Sequence, residues 1–346
     1  MGKSLPLSDW PDSDRQMWQG MTQKGGPFDH RGALAHLRET SLRMLREPYG
    51  RWLQWLSDNA NSCLVESPAM RATVSCMKAW VDASPSLRPM SRHMYFVATL
   101  RVLRAAFPDT DWSAHMRFAK RLALIAGNGD ASRKQGRILS SKVLLEAGLG
   151  HAQADAKIPN TPLARAKAQR DGTILALLAM MPIRHRSMSG LRIGHSVLVE
   201  GARLTLLLPR LLTKTKAVFE ADVPEPAATA LRQYISETRP FLMARSGSIH
   251  DHLWVGNQGK SMSYSYIGKK VPETTRRLTA ISIPQQFFRD SAATTIARES
   301  PKAALMIAPV LGHTTARMAE KHYNQAGSIE VGRELASIIR RLKERG

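Results

Sequence analysis

The reading turns on three short runs: Phe288-Arg289-Asp290-Ser291-Ala292-Ala293-Thr294-Thr295, Val310-Leu311-Gly312-His313-Thr314-Thr315 and Glu320-Lys321-His322-Tyr323-Asn324-Gln325. In the first, an arginine opens an Ala/Thr-rich stretch that reads as helix. In the second, a Leu-Gly-His turn puts an imidazole 24 residues after Arg289, and in the third Tyr323 follows ten residues after His313. Taken singly these residues say little: Tyr323 fits a half-buried helix position and His313 a turn cap. Taken together they are a permanently charged planar fork, a ring that can carry a proton and a hydroxyl that can act as a nucleophile.

Upstream, Met181-Pro182-Ile183-Arg184-His185-Arg186-Ser187-Met188-Ser189-Gly190-Leu191 places another arginine directly after the apolar run at 174–183 (ILALLAMMPI). At a helix C-terminus Arg184 and Arg186 could simply serve the helix dipole. Between the two arginine sites the period changes. Residues 196–200, a Gly201-Ala202 turn, 203–208 and 217–223 read as three short antiparallel strands, with Lys214 and Lys216 on the connection before the third. The order Arg184, hairpin lysine, Arg289, Leu-Gly-His313, Tyr323 resembles the active-site half of the phage-integrase-type tyrosine recombinases. The resemblance spans roughly residues 27–346. In the helical half it is carried only by Tyr49-Gly50-Arg51-Trp52-Leu53-Gln54-Trp55-Leu56 and Pro108-Asp109-Thr110-Asp111-Trp112.

Composition agrees with a polyanion partner. The 346 residues carry 50 Lys+Arg against 28 Asp+Glu, a formal charge of +22, in a chain that is 43% hydrophobic and 23% charged. That is globular composition with a basic surface, not a disordered basic tail. Two cysteines, Cys63 and Cys76, exclude a disulfide scaffold and a Cys-rich zinc site. The longest apolar run is half the roughly 20 residues a membrane span needs, so the expectation is a cytoplasmic, nucleoid-associated protein with no membrane contact. The histidines do not cluster, Gly127-Asn128-Gly129 lacks a dinucleotide fingerprint and there is no P-loop, so neither cofactor nor metal is expected.

Along the chain, residues 1–26 read as a flexible N-terminal arm. Residues 27–130 read as an all-helical domain, with Leu34, Leu37, Leu42, Leu45, Trp52, Leu53 and Leu56 on an inward face and Ser91 as an N-cap; the resemblance implies that it is a core-type DNA-binding domain. Residues 131–163 read as a basic linker. From Arg133 to Arg170 eight basic residues face two acidic ones, with Gly136, Gly148, Gly150, Pro159 and Pro162 as punctuation. Residues 164–346 read as a mixed domain: a long helix at 164–181, the three strands, helix at 224–245, and helices from Phe287 onward, the last at 333–345. The predicted class is mainly α with a small antiparallel sheet, an all-helical core-binding domain followed by an α+β catalytic domain.

The resemblance implies two domains that clamp duplex DNA at inverted-repeat core sites, with four protomers on two sites. It implies Tyr323 as nucleophile, Arg184 and Arg289 as the phosphate clamp, and His313 as a hydrogen-bond donor to the phosphate or a base toward the tyrosine. Lys214 or Lys216 would be the acid for the leaving oxygen. The chain departs from the family pattern twice: Gln286 stands where a histidine is usual and can donate a hydrogen bond but not a proton, and Ser187 stands where an acidic residue is usual. These departures keep a second reading open, a relative that binds DNA without cutting it. A generic RNA-binding protein and a type IB-like topoisomerase are further rivals.

Overall fold

The computed structural model describes residues 4–26, 31–127, 131–153, 161–213, 217–247 and 249–299. They group into two compact units, Met1–Ala131 and Ser132–Gly346. The first is all helix: α1 (Asp12–Thr22), α2 (Glu39–Asn59), α3 (Pro68–Arg71), α4 (Val74–Asp82), α5 (Pro89–Ala106) and α6 (Ser113–Ala126). Its core is aromatic. Trp52 stacks on Trp55 at 5.7 Å and meets Trp80 edge-on at 5.4 Å, while Trp10 packs against Trp18 at 5.6 Å and Tyr49 at 5.1 Å.

Those contacts overturn the reading of residues 1–26 as an arm. Trp10, Trp18 and Met21 are buried in this core, and Asp14 lies fully buried between two partners, accepting 2.6 Å from Tyr49 Oη and pairing with Arg71. A polar, Gly-containing segment hid a helix because few apolar residues anchor it. The predicted cap at Ser91 also shifts, since α5 starts at Pro89, which suits a first helical position.

The second unit is built around α8 (Pro162–Met180), which follows α7 (Ser141–Gln153). Ile174, Leu175, Leu177 and Leu178 of α8 are each at most 1% exposed, and burying such a side chain stabilises by about 2 kcal/mol. The basic stretch at 131–163 is therefore not a bare linker, because α7 packs along α8. Its glycines are the physical reason. A Cβ on Gly148 would meet Ala176 N at 2.8 Å and Gly172 O at 2.9 Å, so the two helices cross backbone to backbone. Glycine that reads as punctuation is here a packing residue.

After α8 come α9 (His185–Ser189) and an antiparallel sheet in the order β1 (Val197–Glu200), β2 (Arg203–Leu208), β3 (Phe219–Asp222), pairing Val197 with Leu206 and Thr205 with Asp222. Gly201, at φ +59°, makes the predicted first turn. Then follow α10 (Ala227–Gln233), a π-helical turn at Tyr234–Thr238, α11 (Arg239–Met243), α12 (Tyr264–Thr279) and α13 (Gln285–Glu299). No helix among the described residues is long and apolar enough to cross a membrane.

Candidate active site

The site begins where α8 stops. Ile183 N donates to Met181 O at 2.7 Å across the proline, and Arg184 then caps α9 in an extended conformation. Buried Met188 and Leu191 seat α9 on the core. Ser187, also buried, donates 2.8 Å to Leu212 O, and Gly190 lies so close that a Cβ would meet Leu212 Cδ2 at 2.6 Å. The residue that replaces the expected acid thus ties α9 to the segment leaving β2. That segment is pinned at its far side too, since Thr213 Oγ1 donates to Ala217 O at 2.7 Å.

Helix α13 grips the other side of the Arg184 backbone. Buried Phe287 and Phe288 anchor it. On one face, four residues apart, Gln285 Nε2 donates 3.1 Å to Ile183 O and Arg289 Nη1 donates 2.8 Å to Pro182 O. The two carbonyls immediately before Arg184 are therefore held by the helix that carries Arg289. The guanidiniums are near enough to feel each other: burial first, then Arg184, pull the Arg289 pKa down to about 10, against an opposing pull from Asp290. Arg289 stays charged at neutral pH, held in a place that disfavours a cation unless an anion arrives.

Beside them, His185 stacks on Tyr264 with centroids 3.8 Å apart and 20° between planes. Burial lowers its pKa, partly offset by a hydrogen bond to the Tyr264 backbone, so it is neutral at pH 7. Gly268 makes room for the ring, since a Cβ there would lie 2.7 Å from His185 Cε1.

No family model matches this chain, and no curated protein matches it by sequence. Solved structures do. The XerH site-specific recombinase bound to difH substrate, a pre-cleavage complex, superposes with a TM-score of 0.59 at 13% identity over 94% of this chain and 99% of that one. Its post-cleavage complex on a palindromic difH substrate gives 0.57 at 13% identity over 87% and 80%. The Tn1549 transposon integrase in complex with circular intermediate DNA gives 0.52 at 15% identity over 91% and 98%. The fold is that of the tyrosine recombinases.

On this tyrosine-recombinase fold the sequence-predicted residues divide. Arg184 and Arg289 come together. Gln286 lies in the first turn of α13, exposed, three residues before Arg289. Lys214, Lys216, His313 and Tyr323 lie outside the described residues. Three neighbours of the arginine pair escaped the sequence reading: Gln285, Asp290 and Lys134. Gln285 had a signal, its i, i+4 spacing from Arg289. Arg170, counted among the linker charges, has no place on a DNA-facing surface. It is fully buried, bonding Asp171, Val255 O at 3.0 Å and Asn257 Oδ1 at 3.1 Å.

Proposed function

We propose that the protein is a site-specific DNA recombinase that cuts and rejoins duplex DNA through a 3′-phosphotyrosyl intermediate. The observation that carries this is the pairing of Arg184 and Arg289, delivered to one place by α9 and α13 on a fold shared with enzymes solved on DNA. Two guanidiniums suit the five-coordinate phosphorus because each can bond two non-bridging oxygens, and burial strengthens both as charge builds. Tyr323 Oη forms the new bond to phosphorus as the bond to the 5′ oxygen breaks. Lys214 or Lys216 protonates that oxygen, Gln286 donates a hydrogen bond to the phosphate, and His313 either does the same, with the phenol proton of Tyr323 passing to solvent, or takes that proton itself. A 5′ hydroxyl from the partner duplex then attacks the phosphotyrosine and frees the phenol. Family resemblance supplies the remainder: inverted-repeat core sites and four protomers on two duplexes.

The test is a duplex carrying inverted repeats from the DNA flanking the gene, nicked beside the scissile phosphate. An SDS-resistant protein–DNA adduct that disappears in Tyr323→Phe is expected. Specific binding to that duplex without an adduct would favour the second reading, a recombinase relative that only binds DNA. Gln286 and Ser187 support that reading, because neither supplies the ionisable group usual at its position. Comparing Lys214→Ala with Lys216→Ala assigns the acid: the variant that recovers with a 5′-phosphorothiolate leaving group, which needs no proton, is the one that lost it.

A further inference from the structure

The segment that opens the second unit lies along α13. Lys134 Nζ is 2.7 Å from Asp290 Oδ1, a carboxylate only 10% exposed. Arg137 donates through Nε and Nη2 to Ser282 O at 3.0 and 2.5 Å. Lys134 and Arg137 both sit over the Phe287 ring, at 5.8 and 5.1 Å from its centroid, and Ser141 N donates to Thr295 Oγ1 at 3.0 Å. These attachments run from the start of α13 past Arg289, so they set how the helix is turned about its axis. Asp290 directly follows Arg289, where an unbalanced carboxylate would compete with an incoming anion.

We propose that Lys134 is a positioning residue for the arginine pair, acting through Asp290: its ammonium holds that carboxylate and neutralises it, leaving the charge of Arg289 for phosphate. This rests on the reading of Arg184 and Arg289 as a phosphate clamp. It also gives Lys134, one of the basic residues of the stretch that reads as a linker, a specific role. Tyrosine, lysine acid and DNA sequence need not be known to test it, because inorganic phosphate is a sufficient probe of the clamp.

The experiment is calorimetric titration of the full-length protein with inorganic phosphate at pH 7.5 and low salt. Arg289→Gln should abolish the specific binding. Lys134→Met should weaken it about five- to tenfold by withdrawing a positive charge from the carboxylate beside the site, and Lys134→Arg should stay within about twofold of wild type. The double variant Lys134→Met/Asp290→Asn should recover to within about twofold, because the carboxylate charge is gone as well. Lys134 is half exposed, so these variants should fold, which thermal melting checks. Lys134→Gln, able to hydrogen-bond Asp290 but not to neutralise it, is a second probe and should behave like Lys134→Met. Undiminished binding in Arg289→Gln would overturn the clamp itself. Loss in Arg289→Gln with wild-type affinity in Lys134→Met would overturn only the role of Lys134. A double variant as weak as Lys134→Met would make Lys134 a direct phosphate contact and overturn the route through Asp290.

Discussion

Arg289 joins two demands that usually conflict. Its bond to Pro182 O fixes the helix–loop junction, while burial and the nearby Arg184 charge work against its own ionisation. Arg289→Met should therefore abolish the covalent adduct yet leave Tm within about 2 °C of wild type, since relief of the crowded cation offsets the lost hydrogen bond. A melting scan beside the adduct assay checks this. The buried Asp14 shows the opposite balance. It sits between Tyr49 and Arg71, and Arg71 also donates 3.2 Å to both Leu64 O and Glu66 O. Burial, then Asp14, raise the Tyr49 pKa well above 10, so the phenol stays a donor. Asp14→Ala strands a buried guanidinium and should cost about 3–5 kcal/mol in urea unfolding of the N-terminal unit.

At the scale of elements, α7 and α12 meet through one polar contact: Arg277 Nη2 donates to His151 Nε2 at 2.7 Å, which needs a neutral imidazole. Burial, then Arg277, lower the His151 pKa below its ordinary 6.5. The unfolded chain therefore takes up the proton first as pH falls, and stability drops below about pH 6.5 until the folded pKa is reached. His151→Gln can accept the same bond without titrating. Its urea midpoint should fall less than that of wild type between pH 7.5 and 5.5. Elements with a strong period were legible in the sequence: the three strands by alternation and the Gly201 turn, α8 by its apolar run. Helix α7 was not, because Gly148 in a helix crossing and Gly in a linker look alike in one dimension. Helix α12 went unassigned, its 16 residues interrupted by Gly268 and Pro272. The two arginines were singled out by the resemblance, and α9 and α13 bring them within reach of each other's charge. Gln285, Asp290 and Lys134 were not singled out, because what matters in them is a contact made across the fold.

For the whole molecule, the charge of +22 is not a uniform coat. Arg71 and Arg170 are buried in ion pairs, while Lys142 and Arg165 are exposed. If the exposed charges grip a duplex, Lys142→Gln/Arg165→Gln should flatten the dependence of DNA affinity on salt by up to one to two ions. Arg170→Met should leave that slope alone and lower Tm instead. Deleting residues 1–26 removes Trp10, Trp18 and Asp14 together and should unfold the N-terminal unit rather than merely shorten it, as far-UV circular dichroism would report.

Six of the seven tryptophans, Trp10, Trp18, Trp52, Trp55, Trp80 and Trp112, belong to the N-terminal unit, and only Trp254 belongs to the other. Nature has in effect labelled one half of the molecule. In Trp254→Phe all indole emission comes from the helical unit, where Trp52 stacks on Trp55. The helical half can then be followed on its own by light alone, without an added dye, as denaturant or an added duplex is titrated in.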